Sequence, residues 1–188
     1  MSAVERVGGR LVPVPQPEIE ITRMRRRHLR KVLNIEGRVY PRPWSASLFL
    51  SELAQKTTRS YIVARYSGEV VGYAGLMFNL TDAHVTNIAV DPDLHGRRIG
   101  SKLLLTVVTE AIARGAETIS LEVRVTNKIA QAMYAKFGFH ITGMRRGYYI
   151  ETREDAFVME VPDARSTAFR ERMAGIRSEL AEYDGKAG

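Results

Sequence analysis

An apolar strand that breaks at a proline and re-enters as a helix through a Gly/Arg loop restricts this chain more than any other feature. It reads Asn87-Ile88-Ala89-Val90-Asp91-Pro92, then His95-Gly96-Arg97-Arg98-Ile99-Gly100. Ile99, Leu103, Val107 and Ala111 follow on one stripe, so the spacing predicts a helix over Arg98 to Arg114 with Gly115 as its stop. Backbone N–H groups at a helix start lack intrahelical partners, and the macrodipole makes that end partly positive. A loop with few side chains in the way lets phosphate oxygens reach those donors. The segment therefore predicts a phosphate cradle, with Arg97 and Arg98 nearby to hold charge.

Two nucleotide signatures fail on it. A dinucleotide fingerprint requires G-x-G-x-x-G, which is absent here. A P-loop requires G-x-x-x-x-G-K followed by Ser or Thr, whereas Gly96 to Lys102 reads G-R-R-I-G-S-K, one residue short and with Ser before Lys. A second block lies downstream. Ile119 to Val125 alternates, with Ile119, Leu121, Val123 and Val125 on one face and Ser120, Glu122 and Arg124 on the other. Thr126 and Asn127 are good N-cap residues for the next helix, and Gly138 stops it. Ile129, Met133 and Phe137 are expected to form the buried stripe of that helix, with Tyr134 at its edge.

The Gly/Arg loop resembles the acetyl-CoA loop of the GCN5-related N-acetyltransferases (GNAT), Q/R-x-x-G-x-G/A, with His95 at the Q/R position and Arg98 at the first glycine. The run L-E-V-R-V-T-N-K-I-A-Q-A-M-Y-A-K-F-G-F, from Leu121 to Phe139, closely resembles the ribosomal-protein-alanine N-acetyltransferases (the RimI type) and the archaeal N-terminal acetyltransferases. Three further segments fit the same family: Tyr40-Pro41-Arg42-Pro43-Trp44-Ser45; N-I-A-V-D-P-D from Asn87; and Arg145-Arg146-Gly147-Tyr148-Tyr149 followed by Glu154-Asp155-Ala156. The resemblance runs from Ile19 to Val161. Single loops of this kind recur by chance, but several in the right order are specific.

The resemblance implies an α+β fold, a central mixed and mainly antiparallel splayed sheet flanked by helices, and acetyl transfer from acetyl-CoA to an amine. Amides of Gly96, Arg97, Arg98, Ile99, Gly100 and Ser101 would take the pyrophosphate. Main-chain groups of Ile88, Ala89 and Val90 would hold the pantetheine arm, an amide near Val90 would donate to the thioester oxygen, and Asn127 would touch the same arm. Glu122 is implied as the base and Tyr134 as the acid for the CoA thiolate, the two converging on the sulfur from one side of the sheet. Burial is expected to raise the basicity of Glu122. Glu36, Tyr40 and Trp44 on the first loop, with Tyr148 and Tyr149 on the last hairpin, would line the slot for a peptide N-terminus. Each residue also has a plainer reading. Glu122 could pair with Arg124 or with a neighbouring strand, Asn127 could only cap its helix, and Tyr134 could only pack. Glu36 could be a helix-face glutamate and Trp44 a core anchor. For Glu122, Asn127 and Tyr134 the joint spacing favours chemistry; for Glu36 and Trp44 both readings stand equally.

The family acceptor is the α-amine of a ribosomal protein N-terminus, with alanine first. Lysine or small-amine acetylation is the alternative within the fold, and a silent acyl-CoA-binding or ribosome-binding module the alternative outside enzymes. The net charge of +7, from 28 Lys+Arg against 21 Asp+Glu, suits CoA phosphates or a ribosomal surface. It equally suits a solvated arginine-rich surface such as Arg23 to His28. No aromatic-interleaved basic motif accompanies the charge, so direct nucleic-acid recognition is not expected. With zero cysteines and scattered histidines no metal site is expected, and His84 and His95 read as turn or surface residues. No apolar run approaches a membrane span and the N-terminus lacks a signal core, so a soluble, cytoplasmic protein without membrane partners is expected. The expected organisation is a flexible tail over 1–17, one acetyltransferase domain over 18–162, and a C-terminal amphipathic helix and tail over 163–188. That helix rests on Phe169, Met173, Ile176 and Leu180 and is expected to pack back on the domain.

Overall fold

Long, mainly antiparallel strands, three successive pairs of them joined by short turns, build most of the architecture. The computed structural model describes residues 4–7, 10–13 and 18–187. Within the segment expected to be a tail, β1 (Val4–Val7) and β2 (Arg10–Pro13) pair antiparallel as a separate two-stranded sheet; residues 1–3, 8–9 and 14–17 lie outside the described residues. The main sheet holds β3 (Glu20–Arg23), β4 (Arg59–Tyr66), β5 (Glu69–Asn79), β6 (Asp82–Val90), β7 (Thr118–Arg124), β8 (His140–Tyr149) and β9 (Glu154–Val161). Its order is β3-β4-β5-β6-β7-β9-β8. β6 and β7 run parallel, and the other neighbours pair antiparallel.

Helices cover both faces. α1 (Leu29–Val39) and α2 (Ala46–Ala54) bury Val32, Ile35 and Phe49 against Tyr61, Val63 and Tyr73. α3 (Ile99–Ala113), α4 (Lys128–Lys136) and α5 (Thr167–Ala187) pack on the other face, where Ile62 and Ala64 of the same strand point. Ser45 caps α2 by accepting the Leu48 N–H at 3.2 Å. Phe169, Met173, Ile176 and Leu180 are buried in the α3-side cluster, so the C-terminal helix does fold back on the domain. No helix is long and apolar enough to cross a membrane.

The stripe expected on α4 is rotated. Ile129 is 87% exposed, whereas Tyr134 is buried. Steps of four at 3.6 residues per turn carry residue 129 about 80° round from residue 137. With Phe137 fixed in the core, Ala130 and Tyr134 turn inward instead.

Two irregularities open the sheet. A register shift between Gly75 and Leu76 leaves Thr86 as an extra residue in β6. Before it, Ala83 and Val85 face the α3 side; after it, Ala89 lies in the α1/α2 cluster while Ile88 and Val90 face α3. The bulge turns the strand over. Gly75 permits it, because a Cβ there would collide with Thr86 Oγ1 and Tyr61 Cε1 and come within 2.6 Å of Asn87 Oδ1. Gly75→Ala is therefore expected to destabilise the fold by about 1–3 kcal/mol, read as a lower urea midpoint at an unchanged slope. The second irregularity is the short β6–β7 pairing, which covers Asp82–His84 against Thr118–Ser120 and stops there. Beyond it the strands diverge.

Candidate active site

A cavity of about 690 Å³ occupies the gap between β6 and β7. Glu36, Tyr40 and Trp44 line it from α1 and the following loop, and Ile88, Ala89 and Val90 from β6. Gly96, Arg98, Ile99, Gly100 and Ser101 line it at the start of α3, and Glu122, Asn127, Tyr134 and Tyr149 complete the wall. Arg97 and Tyr148 stand outside it. The Arg97 guanidinium lies over the Tyr66 ring, 5.3 Å from its centroid. Tyr148 is half-exposed and edge-on to Tyr149, with Arg145 above it.

At the start of α3, Gly96 and Arg98 have positive φ values of 81° and 56°. Arg98 thus keeps the left-handed backbone that its glycine-like position demands, at a strain of about 1–2 kcal/mol. The Lys102 N–H bonds the Arg98 carbonyl at 3.1 Å. The amides of Ile99, Gly100 and Ser101 precede that bond and are the free donors of the helix start.

The main chain of β6 is partly engaged already. The Tyr40 hydroxyl donates to the Ile88 carbonyl at 2.9 Å, and His95 Nε2 lies 3.2 Å from the Val90 carbonyl. Of the main-chain groups expected to serve the ligand arm, the Ile88 and Val90 carbonyls each already have one side-chain partner. N–H and C=O of one strand residue point the same way, so the amides of Ile88 and Val90 face the gap. Asn127 caps α4, its Oδ1 accepting the Ala130 N–H at 3.1 Å, and lines the cavity as well.

Glu122 and Tyr134 do not approach from one side. Leu121 and Val123 share the α3-side cluster with Tyr134, so Glu122 between them projects toward the opposite face. The gap between the strands is what lets both line one cavity. Burial pushes the Tyr134 phenol above its ordinary range, and no described residue hydrogen-bonds its hydroxyl. Tyr149 is pushed up to about 12 by burial, with the Arg124 guanidinium 3.7 Å from its ring centroid.

Glu122 is an ion-pair hub. His84 Nε2 lies 2.9 Å from its Oε2, and an Arg145 nitrogen 3.2 Å from its Oε1. His84 Nδ1 is 2.9 Å from Ser120 Oγ. The bond to His84 holds the carboxyl below the usual carboxylate range, overriding the desolvation that pushes it up. This reverses the expected effect of burial. It also corrects the reading of His84, which belongs to the site because parallel pairing sets it opposite Ser120, two residues before Glu122.

Glu36 is 2% exposed and accepts the Trp44 main-chain N–H at 2.9 Å and the Tyr73 hydroxyl. Burial pushes its carboxyl up to about 7, against the Trp44 bond that lowers it. It ties the α1–α2 loop to the sheet rather than facing solvent. Trp44 packs on Phe49 with ring centroids 5.3 Å apart, so it anchors the loop while lining the cavity. No cluster of metal-ligating side chains exists among the described residues.

Residues 29–139 match the model of the acetyltransferase (GNAT) family. The chain belongs to that family. The ribosomal protein bS18-alanine N-acetyltransferase of Escherichia coli K12 is 36% identical over 131 residues, 69% of this chain and 87% of its own length. The N-alpha-acetyltransferase RimI of Mycobacterium tuberculosis is 40% identical over 121 residues, 62% of this chain and 74% of its own. The crystal structure of the E. coli ribosomal-protein-S18-alanine N-acetyltransferase superposes with a TM-score of 0.72 at 32% identity, covering 79% of this chain and 96% of that one. This GNAT chain is an acetyl-CoA-dependent N-acetyltransferase, and its mixed, mainly antiparallel splayed sheet is the fold expected for one.

Proposed function

We propose that the cleft moves an acetyl group from acetyl-CoA to the α-amine of a ribosomal protein N-terminus beginning with alanine. The observation that carries this reading is a single cavity lined from both faces of the sheet, with free helix-start amides at one end and an ionised carboxylate at the centre. The named acceptor of the E. coli relative supplies the alanine. A ribosomal substrate suits a cytoplasmic enzyme, and the +7 charge suits transient association with a ribosomal surface.

On the α3/α4 side, the amides of Ile99 to Ser101 and the Arg98 guanidinium hold the donor's phosphates, and Asn127 flanks the pantetheine arm. The Val90 amide donates to the thioester oxygen, where negative charge develops on attack. On the α1/α2 side, Glu36, Tyr40, Trp44 and Tyr149 line the path of the peptide. The neutral amine attacks the thioester carbon through the gap, forming the N–C bond and leaving an ammonium on the tetrahedral adduct. Glu122 takes that proton. The adduct collapses with cleavage of the C–S bond, and the Tyr134 hydroxyl donates its proton to the departing sulfur and regains one from solvent once the product thiol leaves. His84 and Ser120 offer Glu122 a path for its proton away from the cleft.

A peptide panel tests the proposal. Peptides with a free N-terminal alanine should gain one acetyl group by mass spectrometry, at least about tenfold faster than blocked peptides carrying an internal lysine or than polyamines. Equal turnover of the blocked lysine peptides would redirect the reading to side-chain amines. Donor binding without turnover of any amine would replace it with an acyl-CoA-binding module.

A further inference from the structure

α5 extends past the residues that its packing requires. Its buried side chains end at Leu180, yet the helix continues to Ala187. Its last turns reach the loop that starts α3. The Tyr183 hydroxyl donates to the Gly96 carbonyl at 3.4 Å, and the Arg98 guanidinium carbon stands 4.7 Å from the Tyr183 ring centroid. Asp184 holds Lys102 Nζ at 2.6 and 2.7 Å. Two adjacent residues of α5 thus secure the turn on which the cavity ends.

The chemistry of the two ties differs. A carboxylate on Arg98 would neutralise it, and among the described ion pairs none involves Arg98. An aromatic face orients a guanidinium while leaving its in-plane N–H donors and its charge available to an anion. Asp184 spends its charge on Lys102 instead, which does not line the cavity. We propose that the tip of α5 is a working part of the phosphate site. Tyr183 is a positioning residue that presents the Arg98 guanidinium to the phosphate groups of the acetyl donor, and the Asp184–Lys102 pair fastens the helix there. Holding a long side chain in its binding rotamer before the ligand arrives removes ordering entropy from the binding step. The inference rests on the reading that the donor's phosphates sit at the start of α3.

Five full-length proteins decide it: wild type, Tyr183→Ala, Tyr183→Phe, Arg98→Ala, and the double variant Tyr183→Ala/Arg98→Ala as a coupling control. Tyr183→Ala and Arg98→Ala should each raise the acetyl-CoA KM about five- to twentyfold, with the peptide KM and the thermal midpoint unmoved. Tyr183→Phe keeps the stacking face and should stay within about twofold of wild type, and the double variant should be no worse than Arg98→Ala alone. If Arg98→Ala raises the acetyl-CoA KM and Tyr183→Ala does not, or if Tyr183→Ala raises both KM values alike, the role given to α5 is wrong. If Arg98→Ala itself leaves the acetyl-CoA KM unchanged, the placement of the phosphates is wrong.

Discussion

Glu122→Gln is expected to lower kcat by about 10²–10³-fold with little change in the acetyl-CoA KM. The substitution keeps size and shape, so the cavity and the phosphate end stay as they are. What it removes is an ionised carboxylate lining the gap. His84 and Arg145 hold that carboxylate below the usual range, so it is charged throughout the neutral region. A weak base of this kind cannot strip a free ammonium efficiently. It is well matched to the far more acidic ammonium of the tetrahedral adduct, formed after a neutral amine has attacked. The sign of the pH dependence follows. A depressed carboxyl loses its charge only on acidification below its own range, so it imposes no limb near neutrality. The rise of kcat/KM with pH should instead track deprotonation of the peptide amine, at about 7.7–8.0. The Gln variant should keep this rise at a lower level. A pH–rate series on both proteins checks it, and a wild-type rate in the variant would reduce Glu122 to an ion-pair partner.

Period-two and period-3.6 patterns made the elements and their faces readable, and the alternation around Glu122 put it on the correct side of its strand. Pairing between distant strands is a different kind of fact. His84 reads as an ordinary polar residue until β6 lies parallel to β7, when it becomes the nearest imidazole to Glu122. The gap between these strands likewise arises from the Gly75 bulge and from β7 turning to pair with β9, and neither leaves a local signature. From its helix alone Glu36 reads equally as a slot residue or a plain helix-face glutamate, because Tyr73 and the Trp44 N–H, which satisfy it, lie far along the chain or on main chain. The hydrophobicity of Ile129 suggests it for the α4 stripe, yet its angular distance of about 80° from Phe137 places it off the core. A cavity that accommodates a ligand can also leave a large apolar side chain uncovered, as Ile129 is at the cleft.

Tyr134→Phe is expected to lower kcat by about 10²-fold and to leave stability nearly unchanged. The ring packs against Phe139, with centroids 6.0 Å apart, and that contact survives the substitution. The hydroxyl has no described protein partner, so its loss strands no buried donor or acceptor. Burial keeps the phenol protonated well beyond neutral pH, which is the form able to donate. A raised phenol is a weak acid toward a thiolate of ordinary basicity, near 8.5 for a thiol in water. The same apolar surroundings disfavour a bare thiolate, however, and bring the two groups closer in proton affinity. The hydroxyl therefore acts while the C–S bond is breaking, when charge gathers on sulfur. Acetyl thioesters of more acidic thiols need that hydrogen bond less, so the defect of the Phe variant should shrink with them. The group titrates only far above neutral, so it should add no alkaline limb to the wild-type profile in the physiological range. A Phe variant as fast as wild type with acetyl-CoA would show that the ring is there to pack, and that the sulfur leaves without a proton from α4.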